Sequence, residues 1–340
     1  MTGQRNSRTI LITGGAGFIG SNFIGYFLEK NPEIQIVNLD KLTYAGSLDN
    51  LAEVAENKRY TFIEGDICNR ELLQAVFRQH KISGVVHFAA ESHVDNSIAS
   101  PDNFIKTNIE GTFALLEAAR SLWSSSKEQL LGNRFHHIST DEVYGSLGDK
   151  GYFTEETPYA PNSPYSASKA AADFLVRSYY HTYGLNVVTS NCSNNYGPRQ
   201  HDEKLIPTII RKALSGDKIP IYGDGRNIRD WLFVQDHCEA LKLVFDKGKS
   251  GETYVIGGNN EHNNLYIART ICGILNTVHP RSAGAYEEQI SFVEDRPGHD
   301  YRYAIDSRKI QETLGWSPTE DFSSGIEKTI KWYLEKYQKV

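Results

Sequence analysis

The sequence predicts an α/β fold: a doubly wound parallel Rossmann sheet joined to a smaller, discontinuous α/β substrate-binding domain. Three observations predict it. Short runs rich in β-branched residues alternate with segments of helical period over nearly two hundred residues. A glycine turn, "TGGAGFIG", follows the first run and opens the first helix. After Cys192 the rhythm loosens into turn-rich text such as "NNYGPRQHDEKLIP" and "SGDKIPIYGDGRNIRDW".

The elements follow in order. "RTILIT" reads as the first strand and "IGSNFIGYFLEK" as its helix, then "IQIVNLD" as the second strand. "RYTFIEGD" precedes the helical "NRELLQAVFRQH", and "GVVHFAA" precedes "NFIKTNIEGTFALLEAARSL". "RFHHIST" leads through a loop to "PYSASKAAADFLVRSYYHTYG", and "LNVVTSNC" closes the regular part. Further helices are expected around 204–215, 235–247 and 325–338. The expected partition is residues 1–191 and 230–257 in the dinucleotide-binding domain, with 192–229 and 258–340 in the second domain. Ligands of such a sheet sit at the carboxyl ends of its strands.

Bulk properties bound the partners. With 340 residues, 39% of them apolar, the chain can bury a large core or two. The formal net charge of −6, without basic runs, points away from nucleic acid and anionic membrane as partners. Cys68, Cys192, Cys238 and Cys272 are scattered, which suits a reducing compartment better than a disulfide framework. The polar start "MTGQRNS" leads straight into a strand, so a cytoplasmic location is expected. No His, Cys, Asp or Glu spacing resembles a metal site, and "FHHIS" puts its histidines on opposite faces of a strand.

Gly14, Gly17 and Gly20 have distinct roles in such a turn. One makes the tight bend, one lets a pyrophosphate approach a helix N-terminus, and one lets helix and strand pack closely. Asp40 ends the second strand, twenty residues beyond Gly20, where it can accept hydrogen bonds from the adenosine ribose and repel a 2′-phosphate. NAD is therefore expected rather than NADP. Asp66 in "EGDI" stands at the end of the third strand, where it can face the adenine.

Tyr165 and Lys169 in "YSASK" lie one helical turn apart, and a neighbouring ammonium favours phenolate, so a lowered tyrosine pKa is expected. Tyr26 and Lys30 share the spacing but lie far from the glycine turn. Shortly before Tyr165 stands "STDE". Thr140 suits a substrate hydroxyl, whereas Asp141 and Glu142 exceed the needs of alcohol oxidation. A hexose oxidised at carbon 4 can lose water across carbons 5 and 6, given a base for the carbon 5 hydrogen and an acid for the departing hydroxyl. Two carboxylates at a strand end, pointing to different sides, can divide that work, with Asp141 carrying the raised pKa of the acid.

At these residues the chain resembles the extended short-chain dehydrogenase/reductases. "LDKLTYAGSLDNL", "HFAAESHVDNSI", "STDEVYG", "YSASKAAAD", "NCSNNYGP", "EKLIP", "IRDWLFVQDH" and "DRPGHD" together resemble the dTDP-glucose 4,6-dehydratase branch across nearly the whole length. The resemblance implies a homodimer through helices at about 102–120 and 164–182, and a reaction that turns dTDP-glucose into its 4-keto-6-deoxy derivative with NAD recycled. It makes Thr140 the holder of the carbon 4 hydroxyl, Asp141 the acid, Glu142 the base, Tyr165 the redox base and Lys169 its partner.

For NAD it implies Gly14, Gly17, Phe18, Ile19, Gly20, Asp40, Lys41, Asp66, Ile67, Ala89, Ala90, Thr107, Tyr165, Lys169 and Asn195. For the nucleotide sugar it implies Ser92, Thr140, Asn194, Lys204, Leu205, Pro220, Ile221, Tyr222, Arg229, Asn264, Arg296 and His299. Arg199, His201 and Asp202, together with Asn96 and Tyr301, depart from the branch's usual residues. A nucleotide-sugar 4-epimerase, a 4,6-dehydratase of another nucleotide hexose, and a non-catalytic NAD-binding sensor remain alternatives.

Overall fold

The computed structural model describes residues 8–282 and 284–338; the polar start "MTGQRNS" lies outside the described residues. Seven parallel strands form the main sheet in the order β10-β6-β5-β4-β1-β2-β3. They are β1 (Thr9–Thr13), β2 (Gln35–Asp40), β3 (Tyr60–Glu64), β4 (Ile82–His87), β5 (Arg134–Thr140), β6 (Val187–Cys192) and β10 (Thr253–Ile256). β1 and β6 are buried along their whole length and β2, β4, β5 and β10 at all but one residue, as parallel strands covered on both faces must be.

Helices cover both faces. On one, α1 (Phe18–Lys30), α9 (Val234–Lys247) and α11 (Arg308–Leu314) pack through Phe23, Phe27, Leu241, Phe245 and Ile310 onto Ile10, Ile12, Val86 and Ile138. On the other, α2 (Arg70–Gln79), α5 (Thr112–Trp123) and α7 (Pro164–Tyr183) pack through Leu73, Leu115 and Val176 onto Leu11, Val37, Val85 and Phe135. The alternation of strand side chains sends neighbouring residues to these two cores. Three short helices, α3 (Val94–Ala99), α4 (Asp102–Phe104) and α6 (Lys127–Gly132), border the second face.

Where the sequence predicts one helix over 103–122, residues Ile105–Gly111 form a π-helical stretch between α4 and α5. The wider turn carries Thr107 to the carboxyl edge of the sheet, and Asn108 bonds both backbone groups of Glu91 and the Ser168 hydroxyl.

The second domain has its own core. It joins α8 (Leu205–Ser215), α10 (Asn264–Val278) and α12 (Phe322–Gln338) to the sheet β11-β9-β7 and the pair β12-β8. These strands are β7 (Asn194–Tyr196), β8 (Ile219–Tyr222), β9 (Ile228–Phe233), β11 (Glu261–Asn263) and β12 (Ile290–Val293). Helix α10 and these short strands are not predicted by the sequence, because three- to six-residue strands leave little period to detect. The partition differs too: β9 begins at Ile228 and pairs in the small sheet, while Ile310 and Trp316, expected in the second domain, pack in the first core.

Candidate functional site

A cavity of about 320 Å³ opens at the carboxyl ends of the main strands. The glycine turn floors one end. Gly14 has φ +71°, and a Cβ there would lie 2.6 Å from the Ala89 amide nitrogen; a Cβ on Gly20 would meet the Gly14 carbonyl at 2.4 Å. No side chain caps α1, whose N-terminus faces the cavity. These residues fit a pyrophosphate held by backbone amides at a helix N-terminus.

Asp40 ends β2 at the same wall. Its carboxylate accepts the Ala16 and Leu42 amides, each at 2.8 Å, which orients it towards the cavity. Asp66 accepts the Cys68 amide at 2.9 Å and pairs with Lys41 Nζ at 2.7 Å. All fifteen residues expected to hold NAD line this one cavity.

Strand β5 delivers Thr140 to the centre, where the chain turns into a 3-10 helix, Asp141–Tyr144. The two carboxylates thus diverge in a tight helical turn rather than at a strand end as expected, with successive side chains about 120° apart. Thr140 Oγ1 caps the turn, accepting the Glu142 amide, and donates to Asp141 Oδ1, both at 3.3 Å. Asp141 is 2% exposed and its Oδ2 has no hydrogen-bond partner among the described residues; the same holds for the side-chain carbonyls of Asn194 and Asn195 on the facing wall. In the wall of a cavity, buried oxygens left in this way are available to a polar ligand.

Electrostatics separate the two carboxyls. Burial, then the neighbouring Glu142 and Asp230, push Asp141 well above the usual carboxylate range. Burial also raises Glu142, but Arg296, Arg229 and Lys204 oppose the rise.

Helix α7 brings Tyr165 and Lys169 to the opposite side. It starts cleanly because Ser163 and Ser166 form a capping box and Pro164 sits in its first turn. The expected lowering of the tyrosine pKa is corrected: burial, followed by Glu142, pushes Tyr165 well up, against the pull of the Thr140 hydroxyl. Lys169 Nζ instead donates to the Ile138 carbonyl at 2.8 Å, and burial lowers the ammonium to about 8. The decoy pair Tyr26 and Lys30 lies outside the cavity, with Lys30 Nζ 5.7 Å above the ring.

The residues expected for the nucleotide sugar divide. Ser92, Thr140, Asn194 and Lys204 line the cavity, and Lys204 Nζ donates to the Ser92 carbonyl at 3.1 Å. Leu205, Pro220, Ile221, Tyr222, Arg229, Asn264, Arg296 and His299 stand outside its lining, on the second domain. Tyr222 OH donates to Asp95 Oδ2 at 3.2 Å, Arg296 lies 3.7 Å from Asp95 Oδ1, and His299 Nδ1 is 2.6 Å from Asp295.

Two assignments are corrected at the side-chain level. Ile221 faces the second core at 1% exposure, so only its backbone can meet a ligand. The Arg229 guanidinium is taken up by the carbonyls of Ile228, Tyr301 and Asp300 and stacks 4.1 Å above the Tyr303 ring, which leaves it a fixed positive charge rather than an open fork.

Sequence reasoning missed several wall residues: Thr43, Glu91, Ser193, Gln200, His201 and Glu203. The last three belong to a strap after β7. In it Arg199 donates to the Ser21 carbonyl at 3.2 Å and pairs with Glu53 at 2.8 Å, the His201 ring meets Tyr44 edge-on at 5.5 Å, and Asp202 accepts Lys336 and Tyr337, each at 3.0 Å. Arg199, His201 and Asp202 are thus the strap's anchors. Among the described residues no group of three His, Cys, Asp or Glu could hold a metal, and no helix is long and apolar enough to cross a membrane.

Residues 11–329 match a family model described as GDP-mannose 4,6 dehydratase. A dTDP-glucose 4,6-dehydratase of Neisseria gonorrhoeae is 57% identical over 333 residues, covering 96% of this chain and 96% of the relative. The crystal structure of a Streptomyces venezuelae dTDP-glucose 4,6-dehydratase with NAD bound superposes with a TM-score of 0.88 at 43% identity, covering 97% and 98% of the two chains. A UDP-glucose 4-epimerase of Thermotoga maritima reaches a TM-score of 0.84 at 27% identity, with 97% and 99% covered. Fold similarity barely separates the last two, whereas identity separates them widely.

Proposed function

The chain belongs to the dTDP-glucose 4,6-dehydratase family, and from that membership we propose that it converts dTDP-glucose to dTDP-4-keto-6-deoxyglucose and water with NAD as a recycled cofactor. One observation carries the reading: Asp141 and Glu142 diverge from a single turn into a dinucleotide cavity that also presents Thr140, Tyr165 and Lys169. A 4-epimerase has no use for that pair, and a silent NAD sensor has no use for Thr140 or the two carboxylates.

NAD, held by the glycine turn, Asp40 and Lys169, would supply the acceptor for a hydride from carbon 4 and the donor for its return to carbon 6. Thr140 holds the carbon 4 hydroxyl while Tyr165 takes its proton as the phenolate, a state that burial and Glu142 oppose and the charged Lys169 favours. The resulting ketone acidifies the carbon 5 hydrogen, which Glu142 removes as a proton. Asp141, kept protonated by burial and by its charged neighbour, protonates the carbon 6 hydroxyl so that it leaves as water. Glu142 then returns its proton to carbon 5, and the proton gained at Tyr165 balances the one released by Asp141. The fixed charge of Arg229, with Arg296 and Lys204, keeps Glu142 the more acidic of the pair.

On the nucleotide side Arg296 and Lys204 supply the charge for a diphosphate, and Asp40 favours NAD over its phosphorylated form. The enzyme works as a cytoplasmic homodimer. Exposed apolar side chains on the helical stretches at about 102–120 and 164–182, Ile105 at 46% and Phe174 at 59%, support the pairing. Four free cysteines support a reducing location.

Mass spectrometry after incubation with catalytic NAD and, in turn, dTDP-, UDP-, CDP- and GDP-linked hexoses tests the reading. Loss of one water from dTDP-glucose without accumulating NADH is expected. An isomer of unchanged mass would make the protein an epimerase, and no turnover would make it a binding protein.

A further inference from the structure

Behind the site, on the face of α7 that carries Tyr165 and Lys169, the next turn presents Asp173, 5% exposed. Its Oδ2 accepts the Ser139 hydroxyl at 2.9 Å, the Tyr159 hydroxyl at 2.9 Å and the Asn191 side-chain amide at 3.1 Å. Its Oδ1 lies 3.1 Å from His137 Nε2. Asn191 Nδ2 also donates to the Thr140 carbonyl at 3.1 Å. One carboxylate thus ties β5, β6 and the loop before α7 to the helix that bears the redox pair.

The groups facing Lys169 leave it one anion. From β4 comes His87 and from β5 His137, both lowered by burial and so neutral; from β6 comes the Cys192 thiol, raised by burial to about 12 and also uncharged. Burial pushes Asp173 up, but the close approach of His137, the charge of Lys169 and the Ser139 hydroxyl bring it below the usual range, so it is ionised. None of these residues lines the cavity except Ser139, Lys169 and Cys192.

We propose that Asp173 is a positioning residue for the reaction: it clasps the strand end carrying Thr140, Asp141 and Glu142 to the helix carrying Tyr165 and Lys169, and, one helical turn on from Lys169 but not in direct contact with it, it sets a buried negative charge near the ammonium. This role rests on the dehydratase reading above. An ammonium must stay charged beside Tyr165, and burial works against it; the Asp173 charge is what opposes that cost. Removing the charge while keeping the shape therefore lets Lys169 lose its proton at lower pH.

The test is kcat and KM for dTDP-glucose across pH for the NAD-loaded wild type, Asp173→Asn and Tyr159→Phe. Asp173→Asn is expected to lower kcat by about tenfold or more with KM within about twofold, and to move the basic limb of the kcat profile down by about one pH unit. Tyr159→Phe removes one donor but keeps the charge, so its basic limb stays with the wild type. An unmoved basic limb in Asp173→Asn, or equal loss in both variants with neither limb moved, overturns the role. If Asp173→Asn does not fold, Ser139→Ala/Tyr159→Phe replaces it: with two donors gone the carboxylate protonates more readily, so the acid limb must rise, and an unmoved limb overturns the clasp. Wild type that leaves dTDP-glucose unchanged overturns the dehydratase reading and this role with it.

Discussion

Lys169 Nζ donates to the carbonyl of Ile138 across 2.8 Å, so the helix bearing the redox pair is bonded to the strand two residues before Thr140. A fully buried ammonium usually loses charge, and this one is lowered by burial to about 8. Near neutral pH it is still charged, which suits a partner of a phenol pushed up by burial and by Glu142. Lys169→Met keeps the volume and removes the charge. Carbon 4 oxidation, followed as deuteride transferred from carbon 4 of labelled substrate, is expected to slow by at least about 100-fold. A loss below tenfold would free Lys169 of that role.

Glu142→Gln separates oxidation from elimination. Reduced cofactor should form in a single turnover with dTDP-glucose, while water loss stops. Solvent deuterium should no longer enter carbon 5; undiminished incorporation would assign the base elsewhere. Asp141→Asn should give the complementary result, with carbon 5 exchange continuing and water loss slowed by about 100-fold or more.

Much of this is legible in the sequence because the chemistry sits at strand ends, and strand ends are where sequence reads well. The alternation of buried runs and helical segments marks six of the seven parallel strands, all but β10, and the glycine turn and Asp40 lie at fixed distances from β1 and β2. The 3-10 turn after Thr140 is not legible, since four residues carry no period; nor is the pinning of Arg229 by three carbonyls, which depends on loops brought together only in the fold. The upward shift of Tyr165 escapes for a related reason. A spacing of four names the lysine, but the buried carboxylates facing the ring come from another element.

Arg199 anchors the strap that follows β7. It is held at φ +71°, with its guanidinium on the Ser21 carbonyl and Glu53, while Tyr333 OH donates to the Gln200 carbonyl. Glu53 is largely exposed, so that ion pair contributes about 1 kcal/mol at most. Arg199→Ala is expected to weaken NAD binding by no more than about fivefold, with kcat at saturating NAD unchanged; titration of the cofactor by calorimetry measures it. A large loss of kcat would place the strap in the chemistry rather than over the cofactor.

Asp141 should make the protein less stable as pH rises. Its carboxyl is pushed well above 3.8 in the fold, by burial first and Glu142 second, so the native state holds a proton that the unfolded chain releases. Stability linked to this group is therefore full below the unfolded value and declines as pH climbs from there towards the raised native value. Asp141→Asn removes the dependence. With NAD held at one saturating concentration, the variant's melting temperature should exceed that of the wild type by several degrees near pH 7, and the gap should shrink as the pH falls towards 4. A gap that is constant across that range, or reversed, would mean that Asp141 enters the folded protein already ionised, and the acid in the elimination would have to be another group.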